Sequence, residues 1–180
     1  MSLPSVTVVV PAFNAAEWIG ETLSSVVSQT YQKDLIDVVV VDDGSTDGTR
    51  EEAECVLAGS AVPYQVLVNS SPLGPGAARN RGWKHGKGEW IQFLDADDLL
   101  DPQKVETQAA AAVDATEGVA VLFSSWARFW PANTAWIQDT TCVEPSIGED
   151  PVLDLLRADN FMATGSQLFR RAWLEHVGGY

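Results

Sequence analysis

The first half of the chain alternates short apolar runs with amphipathic stretches. "SVTVVV" (5–10) is a β-branched run that predicts a strand stopping at Pro11. After "PAFN", the residues Ile19, Leu23, Val26 and Val27 share one helical face, with Asn14 as the expected N-cap and Glu17 three residues on. "IDVVVV" (36–41) shows no alternation, so the strand it predicts is buried on both faces, as in parallel sheets. Thr49 and Glu52 suit a capping box for a helix that runs to about Leu57 and stops near Gly59. "YQVLVN" (64–69) predicts a third strand, "GAARNRGWKHG" a third helix and "EWIQFLD" (89–95) a fourth strand. Asp101 followed by Pro102 opens a fourth helix that carries Val105, Ala109 and Val113 inward.

This βαβαβαβα order predicts an α/β fold: a mainly parallel sheet flanked by helices, with ligands beyond the carboxyl ends of the strands. From residue 118 the pattern loses regularity. "VAVLFSSWARFW" (119–130) reads as one long strand, 131–149 as a loop-rich excursion and "PVLDLLRAD" as a short helix. "GSQLFRR" reads as a strand leading into a last helix, "RAWLEHV". The expectation is one domain, 1–180, with two functional regions, 1–115 and 116–180.

Composition narrows what such a domain can bind. At 180 residues and 46% hydrophobic, the chain can bury a real core. With 11 Lys and Arg against 25 Asp and Glu, its net charge of -14 argues against a nucleic-acid partner. Small anionic ligands stay compatible, because a bound divalent cation inverts the local field. Cys55 and Cys142 have no ligand-like spacing to each other or to His85 and His176, so neither zinc nor a disulfide framework is indicated. No secretory leader and no bilayer-spanning apolar segment can be read, which gives a cytoplasmic expectation and leaves attachment to a membrane surface open.

The candidate chemistry lies at strand ends. Asp42 and Asp43 close the second predicted strand, while Asp95, Asp97 and Asp98 follow the fourth. Asp42 and Asp43 also suit the start of a polar loop that caps the next helix. "DGSTDGTREEAE" (43–54) has calcium-loop spacing, but four valines precede it where that motif needs a helix, and Arg50 takes an apolar position. "GPGAAR" (74–79) is a weak dinucleotide fingerprint, since Arg79 stands where close helix packing needs glycine. Arg79 itself is open between a solvated charge and a cation aimed at a phosphate or a base. In "FLDADD", one small residue separates Asp95 from Asp97, so a turn can bring both carboxylates to one cation. Two oxygen ligands hold Mn or Mg weakly, which implies that water and phosphates complete the shell. These acids also suit a surface loop capping the helix after Pro102. Trp126, Trp130 and Trp136 are candidates for stacking on a sugar, or for core packing.

Taken in order, "VVVPAFN", "VVVVDDGSTDGT", "GAARNRG" and "GEWIQFLDADD" resemble the family 2 glycosyltransferases of the GT-A, nucleotide-diphospho-sugar transferase type. "NFMATGSQLFRRAWLEHVGGY" (160–180) is similar to that family's acceptor-side segment. The resemblance implies that Pro11, Ala12 and Phe13 line the nucleotide pocket, that Asp43, helped by Asp42, recognises the base, and that Arg79 lies near the base or diphosphate. It places Asp95 between metal and donor and makes Asp97 the stronger metal ligand. It implies metal-dependent transfer, with inversion, from a nucleotide diphosphate sugar donor, UDP by preference, to a hydroxyl of an unknown glycan, lipid or protein acceptor. Residues 1–115 then form the nucleotide-binding region and 116–180 a partial acceptor-side region. The family's general base follows the "GGY" segment, so a C-terminally truncated chain is expected. Glu149-Asp150 is the one obvious acidic pair of that kind in the second half, and it precedes "GSQLFRR". A nucleotide-sugar binding module without turnover and a nucleotidyltransferase are the competing readings.

Overall fold

The computed structural model describes residues 2–132, 135–138 and 163–180. Strands β1 (Val6–Ala12), β2 (Ile36–Asp42), β3 (Tyr64–Val68) and β4 (Trp90–Phe93) run parallel, and helices α1 (Ile19–Val27), α2 (Thr49–Ala58) and α3 (Pro75–His85) connect them in turn. Helix α4 (Lys104–Asp114) follows, then β5 (Val121–Phe123), the paired strands β6 (Phe129–Ala132) and β7 (Ala135–Gln138), β8 (Gln167–Arg170) and helix α5 (Arg171–Val177). The main sheet has the order β3-β2-β1-β4-β8-β5, and β8 lies antiparallel to both neighbours.

The unbroken valines divide by parity, as a strand's period of two requires. Val8, Val10, Val38 and Val40 enter a core with Ile19, Leu23, Leu57 and Ala109. Val9 packs instead with Trp83, Ile91, Phe93 and Leu174, and Val39 and Val41 with Ala78. Both faces are thus covered, and each fully buried valine contributes roughly 1.5–3 kcal/mol.

Several local expectations are corrected. β1 does not stop at Pro11 but pairs Pro11 with Val41 and Ala12 with Asp42. Leu94 N–H donates to the Val9 carbonyl and Asp43 N–H to that of Ala12, so odd residues of β1 face β4 and even ones face β2. Pro11 therefore faces the β4 side beyond that strand's last rung, where a missing N–H costs no ladder bond. Helix α1 begins at Ile19, and Asn14 is no cap: it adopts φ 48° and its side chain accepts from Thr46 N–H. The Thr49–Glu52 capping box does not form, because the Thr49 hydroxyl is engaged with Asp47 and with Ala15 N–H.

The long strand expected over 119–130 is only three residues in the main sheet. Its partner β8 starts after a turn at Thr164–Ser166, so the ladder ends where Ser124 meets the Ser166 carbonyl. The helix expected at "PVLDLLRAD", Cys142 and the Glu149-Asp150 pair lie outside the described residues.

Helix α3 presses closest on the sheet at Gly82, where an added Cβ would stand 2.3 Å from Val9 Cγ1 and 3.2 Å from Val41 Cγ2. Gly82→Ala is expected to lower stability by about 1–3 kcal/mol through overpacking. Gly76→Ala, in the same helix but with nothing within 4 Å of the new methyl, is expected to raise it by up to about 1 kcal/mol. Chemical denaturation of the two variants measures both; equal midpoints would contradict the close approach.

Candidate active site at the strand carboxyl ends

The loops after β1 and β2 are joined by side chains of "DGSTDGT". The Ser45 hydroxyl accepts from Asn14 N–H at 2.9 Å, Thr49 from Ala15 N–H at 2.8 Å and Asp47 from Ala16 N–H at 3.1 Å. Asp42, buried at the end of β2, accepts from Ser45 N–H at 3.0 Å. These acids serve backbone amides, which removes the calcium-loop reading; no cluster of three metal-ligating side chains occurs among the described residues.

Asp43 is 4% exposed, and its carboxylate organises the next loop. It accepts from Asn69 Nδ2 at 2.5 Å, from Leu73 N–H at 2.9 Å and from Gly74 N–H at 2.7 Å. Burial pushes its pKa upward, but these hydrogen bonds prevail and hold it below the ordinary aspartate value. Asn69 passes the contact on by accepting from Arg81. Sequence reasoning missed Asn69, although "VLVN" places a polar side chain at the end of β3 as Asp42 stands at the end of β2.

Arg79, on α3, reaches the end of β4 and donates to Asp95 Oδ1 at 2.5 Å. Its guanidinium lies 4.7 Å from the Tyr180 ring centre, and its buried Nε finds no acceptor among the described residues. Asp97 is exposed and takes no hydrogen bond among the described residues. A turn closed by Asp98 N–H on the Asp95 carbonyl carries the three acids. Burial first, then the charges of Asp95 and Asp97, push Asp98 up to about 6, although its edge is open to solvent.

The structure thus brings Arg79 and Asp95 together, leaves Asp97 exposed two residues on, and sets Asp42 and Asp43 at the same edge of the sheet. Pro11 and Ala12 are buried, so of the three predicted pocket residues only Phe13, 52% exposed, offers a free surface. The exposed Asp97 and the second oxygen of Asp95 suit a hard divalent cation whose other ligands come from outside the chain.

Beside Asp98 opens a cavity of about 450 Å³ lined by Leu100, Lys104, Ser124, Trp126 and Ser166 among others. Burial holds the Lys104 amine well below the ordinary lysine range, and its Nζ has no hydrogen-bond partner among the described residues. Trp126 of the expected aromatic trio lines this cavity; the side chains of Trp130 and Trp136 lie outside the described set. No helix among the described residues is long and apolar enough to cross a membrane.

Comparisons with known proteins show the family and the fold. The family model described as Glycosyl transferase family 2 matches residues 7–178. Glycosyltransferase AglE of Haloferax volcanii is 41% identical over 96 residues, 53% of this chain and 31% of that protein. A mannosyltransferase from Pyrobaculum calidifontis, solved with GDP-Man and Mn2+, superposes with TM-score 0.72 at 25% identity over 100% of this chain and 48% of that one. S. aureus TarS 1-349 in complex with UDP gives TM-score 0.72 at 26% identity, covering 97% and 49%. The chain therefore spans about half the length of these solved structures and less of the curated relative.

Proposed function

We propose, for a chain that belongs to glycosyl transferase family 2, that it forms the donor side of a metal-dependent glycosyltransferase of GT-A type. Its reaction is transfer of a sugar from a nucleotide diphosphate, UDP by preference, to an acceptor hydroxyl with inversion. The observation that carries this reading is the pairing of Arg79 with Asp95 at the carboxyl end of β4, two residues before the exposed Asp97 and beside the loops that Asp42 and Asp43 hold.

Asp97 and the second oxygen of Asp95 are the ligands for Mn2+ or Mg2+. The cation, when bound, supplies Lewis-acid stabilisation of charge on the departing diphosphate. Arg79, held by Asp95, adds a fixed positive group beside the diphosphate. Asp43, charged and engaged by Asn69, Leu73 and Gly74, holds in shape the loop that meets the base, and Phe13 offers an aromatic face to the nucleoside. The cavity under Trp126 adjoins the Asp95–Asp98 turn and is the place for the acceptor. In this reading residues 1–115 bind the nucleotide and 116–180 supply part of the acceptor side.

Titration calorimetry with UDP and GDP, each with and without Mn2+, tests the reading. The expected outcome is binding at least about tenfold tighter with the metal, equivalent to about 1.4 kcal/mol. Metal-independent binding of both nucleotides would remove the cation from the site, and binding of neither would remove the donor-site assignment.

A further inference from the structure

Helix α5 ends at Val177 and is followed by Gly178-Gly179-Tyr180, a stretch to which the fold gives a definite task. Gly178 has φ 89° and Gly179 φ 122°, backbone that favours glycine. A Cβ on Gly179 would meet Asn80 Oδ1 at 2.3 Å, an oxygen already engaged by Trp83 Nε1 at 3.0 Å and by Tyr180 N–H at 2.7 Å. Asn80 Nδ2 in turn donates to the Tyr180 carbonyl at 3.2 Å. Two glycines turn the chain back onto α3, and one asparagine grips the backbone of the residue that follows. The side chain so delivered lies over Arg79, with ring centre and guanidinium carbon 4.7 Å apart, and meets the edge of Phe93 with ring centres at 5.0 Å.

Arg79 has few other restraints. Among the described residues its hydrogen-bond partner is Asp95, and its Nε is buried without an acceptor. An arginine with one carboxylate partner and an aromatic ring against its guanidinium is held in place by both, and loss of the ring frees it to move. We propose that Tyr180 is a positioning residue of the donor site, its ring holding the Arg79 guanidinium beside Asp95 so that its positive charge stands where the nucleotide diphosphate binds. The inference rests on the donor-site reading above. It links the segment after α5 to the end of β4 through Phe93 and Arg79.

The test is titration of the 180-residue chain with UDP and GDP in Mn2+, comparing Tyr180→Phe and Tyr180→Leu, alone and with Arg79→Ala. Tyr180→Phe keeps the aromatic face and is expected to bind within about twofold of the parent. Tyr180→Leu keeps apolar bulk without that face and is expected to bind about five- to tenfold more weakly, in line with a cation–π contact of roughly 1 kcal/mol. In the Arg79→Ala background the Tyr180→Leu effect should vanish, since there is no guanidinium left to hold. A ring that merely packs predicts otherwise: a lower melting temperature for Tyr180→Leu with unchanged affinity, or the same loss with and without Arg79. Either result overturns the proposal while the donor site stands. Failure of the parent chain to bind either nucleotide brings down the donor-site reading and the role of Tyr180 with it.

Discussion

Asp97→Asn is expected to abolish the Mn2+-dependent part of nucleoside diphosphate binding while leaving the ligand-free protein about as stable as before. Asp97 is exposed and takes no hydrogen bond among the described residues, so its loss removes no interaction of the fold. Such surface substitutions stay within about 0.5 kcal/mol, or roughly 1–2 °C in a domain of this size. Loss of a partner one shell out from a metal already costs 10–100-fold in affinity, so loss of the ligand itself should cost about 100-fold or more. A nucleotide at a hundred times its dissociation constant stabilises by about 2.7 kcal/mol, roughly 5–10 °C here. Thermal melts with UDP or GDP and Mn2+ should show that gain in the parent and its absence in Asp97→Asn. An equal gain in both would dismiss Asp97 as a ligand.

Asp43→Ala should act the other way, through the fold before any ligand is added. Its carboxylate receives Asn69 Nδ2 and the amides of Leu73 and Gly74, and it is almost wholly buried. Truncation leaves those donors unmatched, and a loss of about 3–5 kcal/mol is expected, roughly 6–20 °C in melting temperature. The pH dependence has a definite sign. Because the folded pKa lies below the ordinary value, the charged carboxylate stabilises the protein above the unfolded pKa, and that contribution fades as pH falls through the lowered folded pKa. The stability gap between parent and Asp43→Ala should therefore narrow in acid below about pH 4. A gap that stays constant from neutral pH into that acid range would show that the charge of Asp43 is not what holds the loop.

These two aspartates mark where sequence reading succeeds and where it stops. The valine runs announced strands buried on both faces because period-two burial leaves no polar position to alternate with. The acids at the ends of β2 and β4 were legible for the same reason: a run of apolar residues broken by carboxylates marks a strand's exit from the core. What those acids do was less legible. "DGSTDGT" resembles a cap, a calcium loop and a ligand loop at once, and the choice is made by Asn14, Ala15 and Ala16, which stand more than 30 positions earlier. Asn69 and Tyr180 escaped altogether, since hydrogen bonds from Asn69 to Asp43 and from Tyr180 to Asn80 join positions 26 and 100 apart. The expected strand over 119–130 failed because local propensity could not reveal that its partner turns away at Thr164–Ser166.

The antiparallel insertion of β8 beside β4 bears on how the chain is made. On the ribosome the four parallel strands emerge first, yet β4 lacks its outer neighbour until residues 167–170 are synthesised. Gln92 waits for the Gly165 carbonyl 73 positions later, which at ordinary translation speeds is roughly 4–15 s. During that interval Trp90 and Ile91 border an open edge able to pair with another nascent chain. Expression yield should thus respond to chaperone supply and to synthesis rate more than the stability of the finished protein suggests.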